Sequence, residues 1–133
     1  MGFVMAAAAV EAGAGRVVVW GPSRESMDEL RSTRVSPRLP GWTIPDGVEL
    51  THDESVAGEC TLLVNAVPTQ HVREAWQRFA SVNGSGDPDV PVVSTAKGLE
   101  IGSGLLPTVV IHEVLPDASL VVLSGPTIAS ELV

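Results

Sequence analysis

Short β-branched apolar runs alternate with longer, more polar stretches along the chain. Arg16-Val-Val-Val-Trp20, Thr61-Leu-Leu-Val-Asn-Ala66, Pro91-Val-Val-Ser94 and Leu120–Leu123 read as strands buried on both faces, with a shorter strand at Val48–Thr51. Helical stretches lie between them. Phe3–Ala12 has no polar residue until Glu11, as suits a helix packed on a sheet, and Gly13–Gly15 stop it. Ser23 is a candidate N-cap for a polar helix reaching about Thr33, with Glu25 and Glu29 towards its start and Arg31 and Arg34 at its end, as the helix dipole prefers. Asp53–Ala57 reads as a helical turn, Thr69 as the cap of a helix running to about Phe79, and Leu105–Val114 as a further helix. Pro37, Pro40, Gly41, Pro45 and Gly47 mark Ser36–Gly47 as an irregular surface loop, and Ser81–Pro88 as a second loop follows from its Gly, Asn, Ser and Asp.

Strands and helices alternating at this spacing predict βαβ units, hence an α/β, Rossmann-like doubly wound parallel sheet. In such sheets ligands lie beyond the C-terminal ends of the strands. That rule selects Trp20-Gly21, Ala66–Thr69, Ser94–Gly98 and Ser124–Thr127.

Composition narrows the partners. The 133 residues suit one domain, and an apolar fraction of 44% with 18% charged residues argues against disorder. A net charge of -8 offers no electrostatic footprint for nucleic acid or anionic lipid, so a small-molecule partner is expected. The opening apolar run is broken by Glu11 after about ten residues, half of the ~20 a membrane span needs, and it lacks the basic flank of a signal peptide. No membrane insertion is expected. The lone Cys60 cannot form an internal disulfide and no Cys/His spacing suits a metal, which points to a reducing, cytoplasmic setting.

Among the selected segments, Lys97 stands out as the only lysine in the chain, placed just past a strand and followed by Gly98. A cation there could meet a cofactor phosphate or polarise a carbonyl; a solvated surface lysine is the plainer reading. Ser124-Gly125-Pro126-Thr127 reads either as an anion-holding turn at a helix N-terminus or as an ordinary strand-to-helix turn. The Val67-Pro68 step forces extended backbone suited to lying along a nicotinamide or ribose, and turn geometry explains it equally. Gly13-Ala14-Gly15 and Gly102-Ser103-Gly104 fall in the wrong order relative to strand and helix for a dinucleotide loop and read as turns, while His52, His71 and His112 are scattered.

Val18-Val-Trp-Gly21, Ala66-Val-Pro-Thr-Gln70, Val93-Ser-Thr-Ala-Lys-Gly-Leu-Glu100 and Leu123-Ser-Gly-Pro-Thr127, taken in order, resemble the N-terminal domain of bacterial NAD(P)-dependent glycerol-3-phosphate dehydrogenase. The Leu39-Pro40-Gly41 loop with Ile44-Pro45 and Thr51 fits as well. Lys-Gly-Leu-Glu followed by Ser-Gly-Pro-Thr at this separation is the specific part, and it argues against other dehydrogenases of the superfamily. The resemblance implies an oxidoreductase interconverting dihydroxyacetone phosphate and glycerol 3-phosphate with NADP or NAD, for glycerophospholipid synthesis. It makes Lys97, Gly125 and Thr127 substrate-binding residues, and Gly2, Arg24, Pro68, Lys97 and Ala129 cofactor-binding residues. Arg24 near the end of the second family strand leans towards NADP, since it could meet a 2'-phosphate.

The family pattern begins with a strand and a Gly-x-Gly-x-x-Gly loop, of which Gly2 would be the last glycine. The expected domain is therefore a partial N-terminal NAD(P)-binding domain over residues 1–133, lacking a first strand that would sit mid-sheet and leaving two unpaired edges. The family's C-terminal helical domain, which carries the proton-transferring lysine, is likewise expected to be absent. No catalytic residue is expected here, and this chain by itself is expected to be inactive. The alternative is a noncatalytic nucleotide-binding or interaction remnant that completes its sheet with another chain; a homodimer is the expected assembly.

Overall fold

The structure, a computed structural model, describes residues 1–125 and divides into two units. Among the described residues the first is Met1–Asp53 and the second is Glu54–Gly125.

The first unit opens with α1 (Gly2–Glu11), whose weakly polar sequence packs on β1 (Val17–Trp20) and β2 (Val48–Thr51). The two strands pair in parallel with Val17 opposite Val48 and Trp20 opposite Thr51. Between them runs α2 (Arg24–Thr33), capped by the Ser23 hydroxyl, which accepts from the Ser26 amide at 3.2 Å. β2 alternates buried Val48 and Leu50 with exposed Glu49, and these join Ala6, Met27 and Ile44 in one core cluster. β1 is half-buried along its length and not buried on both faces as its composition suggested, because β2 is its only strand partner among the described residues.

The proline-rich segment after α2 is irregular as expected, yet it is not merely surface. Leu39 and Ile44 are buried in it, and a single antiparallel bridge joins Val35 to Thr43. Arg34 explains how a loop with so little regular hydrogen bonding keeps its shape: its guanidinium donates to the carbonyls of Ile44, Pro45 and Val48. The residue therefore organises the loop; helix-dipole compensation is not its main role.

The second unit carries a 3-10 turn at Glu54–Glu59, then β3 (Leu63–Asn65), a second 3-10 turn at Thr69–His71 leading into α3 (Val72–Asn83), β4 (Val92–Ser94), α4 (Pro107–Val114) and β5 (Leu120–Val122). The sheet order is β3-β4-β5, all parallel. The central strand buries Val92 and Ser94, whereas β3 and β5 leave Val64, Val121 and Val122 exposed because each pairs on one edge in this sheet. Val72, Trp76, Val92, Val110, Ile111 and Leu115 form the core beneath. The parallel α/β class is as the alternation predicted; the ladder comes in two parts, of two and three strands.

Candidate functional site

In the second unit the three parallel strands end level. Asn65, Ser94 and Val122 are register partners, and the ladder closes one step further where Thr95 donates to the Asn65 carbonyl and Leu123 to that of Ser94, each at 2.9 Å. Three turns therefore leave one rim side by side: Ala66–Thr69, Thr95–Gly98 and Leu123–Gly125. This is the edge at which open parallel sheets hold ligands.

A buried polar bridge fixes the strand ends. Asn65 and Ser94 are each 1% exposed, and the Asn65 amide donates to the Ser94 hydroxyl at 3.0 Å while its oxygen accepts from the Trp76 indole at 3.2 Å. A carboxamide in this core needs both partners, since an unpaired buried amide is costly. Asn65 thereby ties β3, β4 and α3 together.

Lys97 lies on the rim. Its ammonium donates to the Gly125 carbonyl at 2.7 Å, so two of the residues selected from sequence meet. Beside them opens a cleft of about 310 Å3, lined by Ser94, Ala96, Lys97, Gly98, Leu106, Pro107, Thr108, Val122 and Ser124. Gly98 turns the chain there with φ +93°, a conformation L side chains rarely adopt. Pro68 is exposed on the neighbouring turn with φ -55° and ψ 137°, its φ fixed by its own ring.

Thr69 does not cap α3. Its hydroxyl donates instead to the Lys97 carbonyl at 2.6 Å, and a 3-10 turn precedes the helix. The reason is competition: a carbonyl on the adjacent turn is a better-placed partner than the helix amides. The next residues on this side extend the contact. Gln70 donates to the Leu99 carbonyl at 2.9 Å and accepts from the Ile101 amide at 2.8 Å. Arg73 makes a two-point ion pair with Glu100 and a further contact to Glu113 at 2.8 Å. The Arg73 guanidinium, together with the Ser103 hydroxyl, holds the Glu100 carboxyl below the usual carboxylate range, and the two carboxylates hold Arg73 more firmly protonated. None of these roles was assigned from sequence, although Gln70 and Glu100 both belong to the quoted motifs.

Gly2 and Arg24 belong to the first unit. Gly2 opens α1, whose first turn has no side-chain cap. Arg24 is exposed at the start of α2, 3.8 Å from Asp28. Thr127 and Ala129 lie outside the described residues. Gly13, Gly102 and Gly104 adopt positive φ in turns, as expected of them. Among the described residues no cluster of His, Cys, Asp and Glu could hold a metal ion, and no helix is long and apolar enough to cross a membrane.

Residues 2–133 match the family described as NAD-dependent glycerol-3-phosphate dehydrogenase N-terminus. The chain belongs to this family. Curated relatives named glycerol-3-phosphate dehydrogenase [NAD(P)+] include that of Bradyrhizobium diazoefficiens, 37% identical over 128 residues, covering 96% of this chain and 38% of the relative. That of Ruegeria is 34% identical over 115 residues, covering 86% of this chain and 35% of the relative. The chain thus spans little more than a third of these relatives' length. A crystal structure of glycerol-3-phosphate dehydrogenase from Coxiella burnetii superimposes with a TM-score of 0.81 at 25% identity, over 97% of this chain and 39% of the other. The enzyme of Dunaliella salina shares the fold, with a TM-score of 0.79 at 20% identity, over 98% of this chain and 25% of the other. The parallel α/β architecture of the family's cofactor domain is the one found here.

Proposed function

We propose that residues 1–133 form part of the NAD(P)-binding domain of an enzyme that interconverts dihydroxyacetone phosphate and glycerol 3-phosphate for glycerophospholipid synthesis. The observation that carries this reading is Lys97: the sole lysine, on a loop anchored at the C-terminal rim of a parallel sheet, with its ammonium beside the cleft. The donor set suits a dinucleotide and a phosphorylated ketose, because the rim offers one cation, the backbone carbonyl and amide groups of two turns, and an extended Val67-Pro68 edge. When bound, the nicotinamide supplies the hydride.

In this reading Pro68 and the α1 start at Gly2 lie along the cofactor. Lys97 meets both cofactor and substrate, its charge stabilising the oxygen that becomes negative as the carbonyl is reduced. Gly125 and Thr127 hold the substrate and Ala129 lines the cofactor site. Arg24 favours NADP, its guanidinium exchanging Asp28 for a 2'-phosphate. The proton and the substrate phosphate are handled by a helical domain of the same enzyme, in the part of the relatives' length that these residues do not span. The assembly is a homodimer in the cytoplasm.

Titration of the 133-residue chain with NADPH and NADH, followed by nicotinamide fluorescence, tests the reading. Saturable binding that weakens by about tenfold in Lys97→Met is expected, a loss equivalent to ~1.4 kcal/mol. Arg24→Glu should weaken NADPH more than NADH. Binding unaffected by Lys97→Met would contradict it.

A further inference from the structure

We propose that Thr69 and Gln70 are positioning residues that fasten the backbone from Lys97 to Ile101 and thereby hold the Lys97 ammonium beside the cleft. The proposal rests on the reading of Lys97 given above, and its reason lies in what else the loop has to hold it. Leu99 and Ile101 are 53% and 84% exposed, so apolar burial does not anchor this stretch. Gly98 with φ +93° sits directly after the lysine, and a glycine hinge next to a flexible four-carbon side chain leaves the ammonium poorly placed unless the backbone is tied.

The ties are polar: Glu100 is held by its own turn, its amide on the Leu105 carbonyl and its carbonyl on the Gly104 amide, each at 2.9 Å, and the residues on either side of it are held from Thr69 and Gln70. The Thr69 hydroxyl holds the Lys97 carbonyl at 2.6 Å. The Gln70 carboxamide spans Glu100, its nitrogen on the Leu99 carbonyl at 2.9 Å and its oxygen on the Ile101 amide at 2.8 Å. Both halves of the amide are used, which fixes its orientation and makes glutamine, with one donor end and one acceptor end, the residue type this geometry demands. With the backbone so held, the ammonium reaches the Gly125 carbonyl at 2.7 Å across the rim. The Gln70 half of the clamp is exposed, where such hydrogen bonds contribute little to global stability and act locally, whereas Thr69 is buried and its hydroxyl bonds within the fold.

The chain has one lysine, so Lys97 and the Met1 α-amine are its two amines, and trace labelling with acetic anhydride followed by mass spectrometry reads Lys97 directly with the α-amine as an internal reference. Thr69→Val and Gln70→Ala should each raise the Lys97 to α-amine labelling ratio severalfold, with the urea midpoint of Gln70→Ala close to that of the parent and that of Thr69→Val somewhat lower because its hydroxyl is buried. Thr69→Ser, which keeps the hydroxyl, should restore the parent ratio. Gln70→Glu, which keeps the acceptor for Ile101 and sets a carboxylate against the Leu99 carbonyl, should raise the ratio. This variant also keeps the test decisive if Gln70→Ala fails to fold. Ratios unchanged in folded Thr69→Val and Gln70→Glu overturn the proposal. Protection of Lys97 by NADPH in the parent chain is measured alongside: its absence, with ratios that still shift, overturns the cofactor reading and leaves the clamp standing.

Discussion

Replacing Asn65 by leucine should cost the second unit about 2–4 kcal/mol, because it strands two polar groups on buried residues. Asn65 is 1% exposed, Ser94 1% and Trp76 5%, and the carboxamide supplies the acceptor for the indole N–H at 3.2 Å and the donor to the hydroxyl at 3.0 Å. Each stranded group forfeits ~1–3 kcal/mol. The Ser94 oxygen loses a donor but keeps its own O–H to donate, so the fixed indole N–H accounts for the firmer share. Leucine keeps the branched outline, but its methyl groups are bulkier than the carboxamide atoms, so the double variant below is what separates the stranded polar groups from overpacking. Urea unfolding followed by circular dichroism should show a lower midpoint at an unchanged slope. The double variant Asn65→Leu/Trp76→Phe removes the stranded donor along with its partner, so its loss should fall short of the sum of the single losses by about 1–2 kcal/mol. A loss below about 1 kcal/mol for Asn65→Leu, or strict additivity of the pair, would refute the claim that this bridge holds the strand ends.

The Arg73–Glu100 pair predicts a pH dependence. Arg73 lowers the folded-state pKa of Glu100, so the pair's contribution is present in full above the ordinary carboxylate value of ~4.3 and fades as pH falls through the lower folded value. The stability difference between the parent and Glu100→Gln should therefore be constant at neutral pH and shrink in acid below about pH 4; a difference that stays constant down to pH 2 would remove the ion pair as its cause. At Gly98 the φ of +93° leaves open space where a Cβ would stand, so Gly98→Ala tests conformation without a clash. It should lower stability by about 1–2 kcal/mol in urea titration, and a variant as stable as the parent would mean the turn relaxes at no cost.

The architecture was legible wherever a residue's local chemistry decides its role. Ser23 before a polar run became the N-cap it reads as, the glycines after α1 became a turn, and the β-branched runs became parallel strands. The same local logic located the rim, since strand ends can be counted and Lys97 is the only lysine. What local chemistry could not settle was any role requiring a partner distant in sequence. Thr69 reads as a cap because the helix amides are near in sequence, yet its partner lies 28 residues away on another turn. Arg34 reads as a dipole residue, and its guanidinium is consumed by a loop whose carbonyls no pattern announces. Edge strands read like central ones because a β-branched run does not state how many neighbours it has; β3 and β5 were distinguished from β4 only by the sheet order.

These misses share a cause that bears on the site itself. Residues that would touch a ligand sit at strand ends, where topology assigns them, and so can be picked from sequence. Residues that hold those groups in place act through tertiary hydrogen bonds across turns, and here they cluster at Thr69, Gln70 and Arg73, all on the entry to α3 and all aimed at the loop of Lys97. One short stretch of chain thereby fixes the backbone around the cation, and Asn65 fixes the strand ends from which both turns depart. A substitution in this stretch should consequently alter how Lys97 is presented before it alters whether the unit folds.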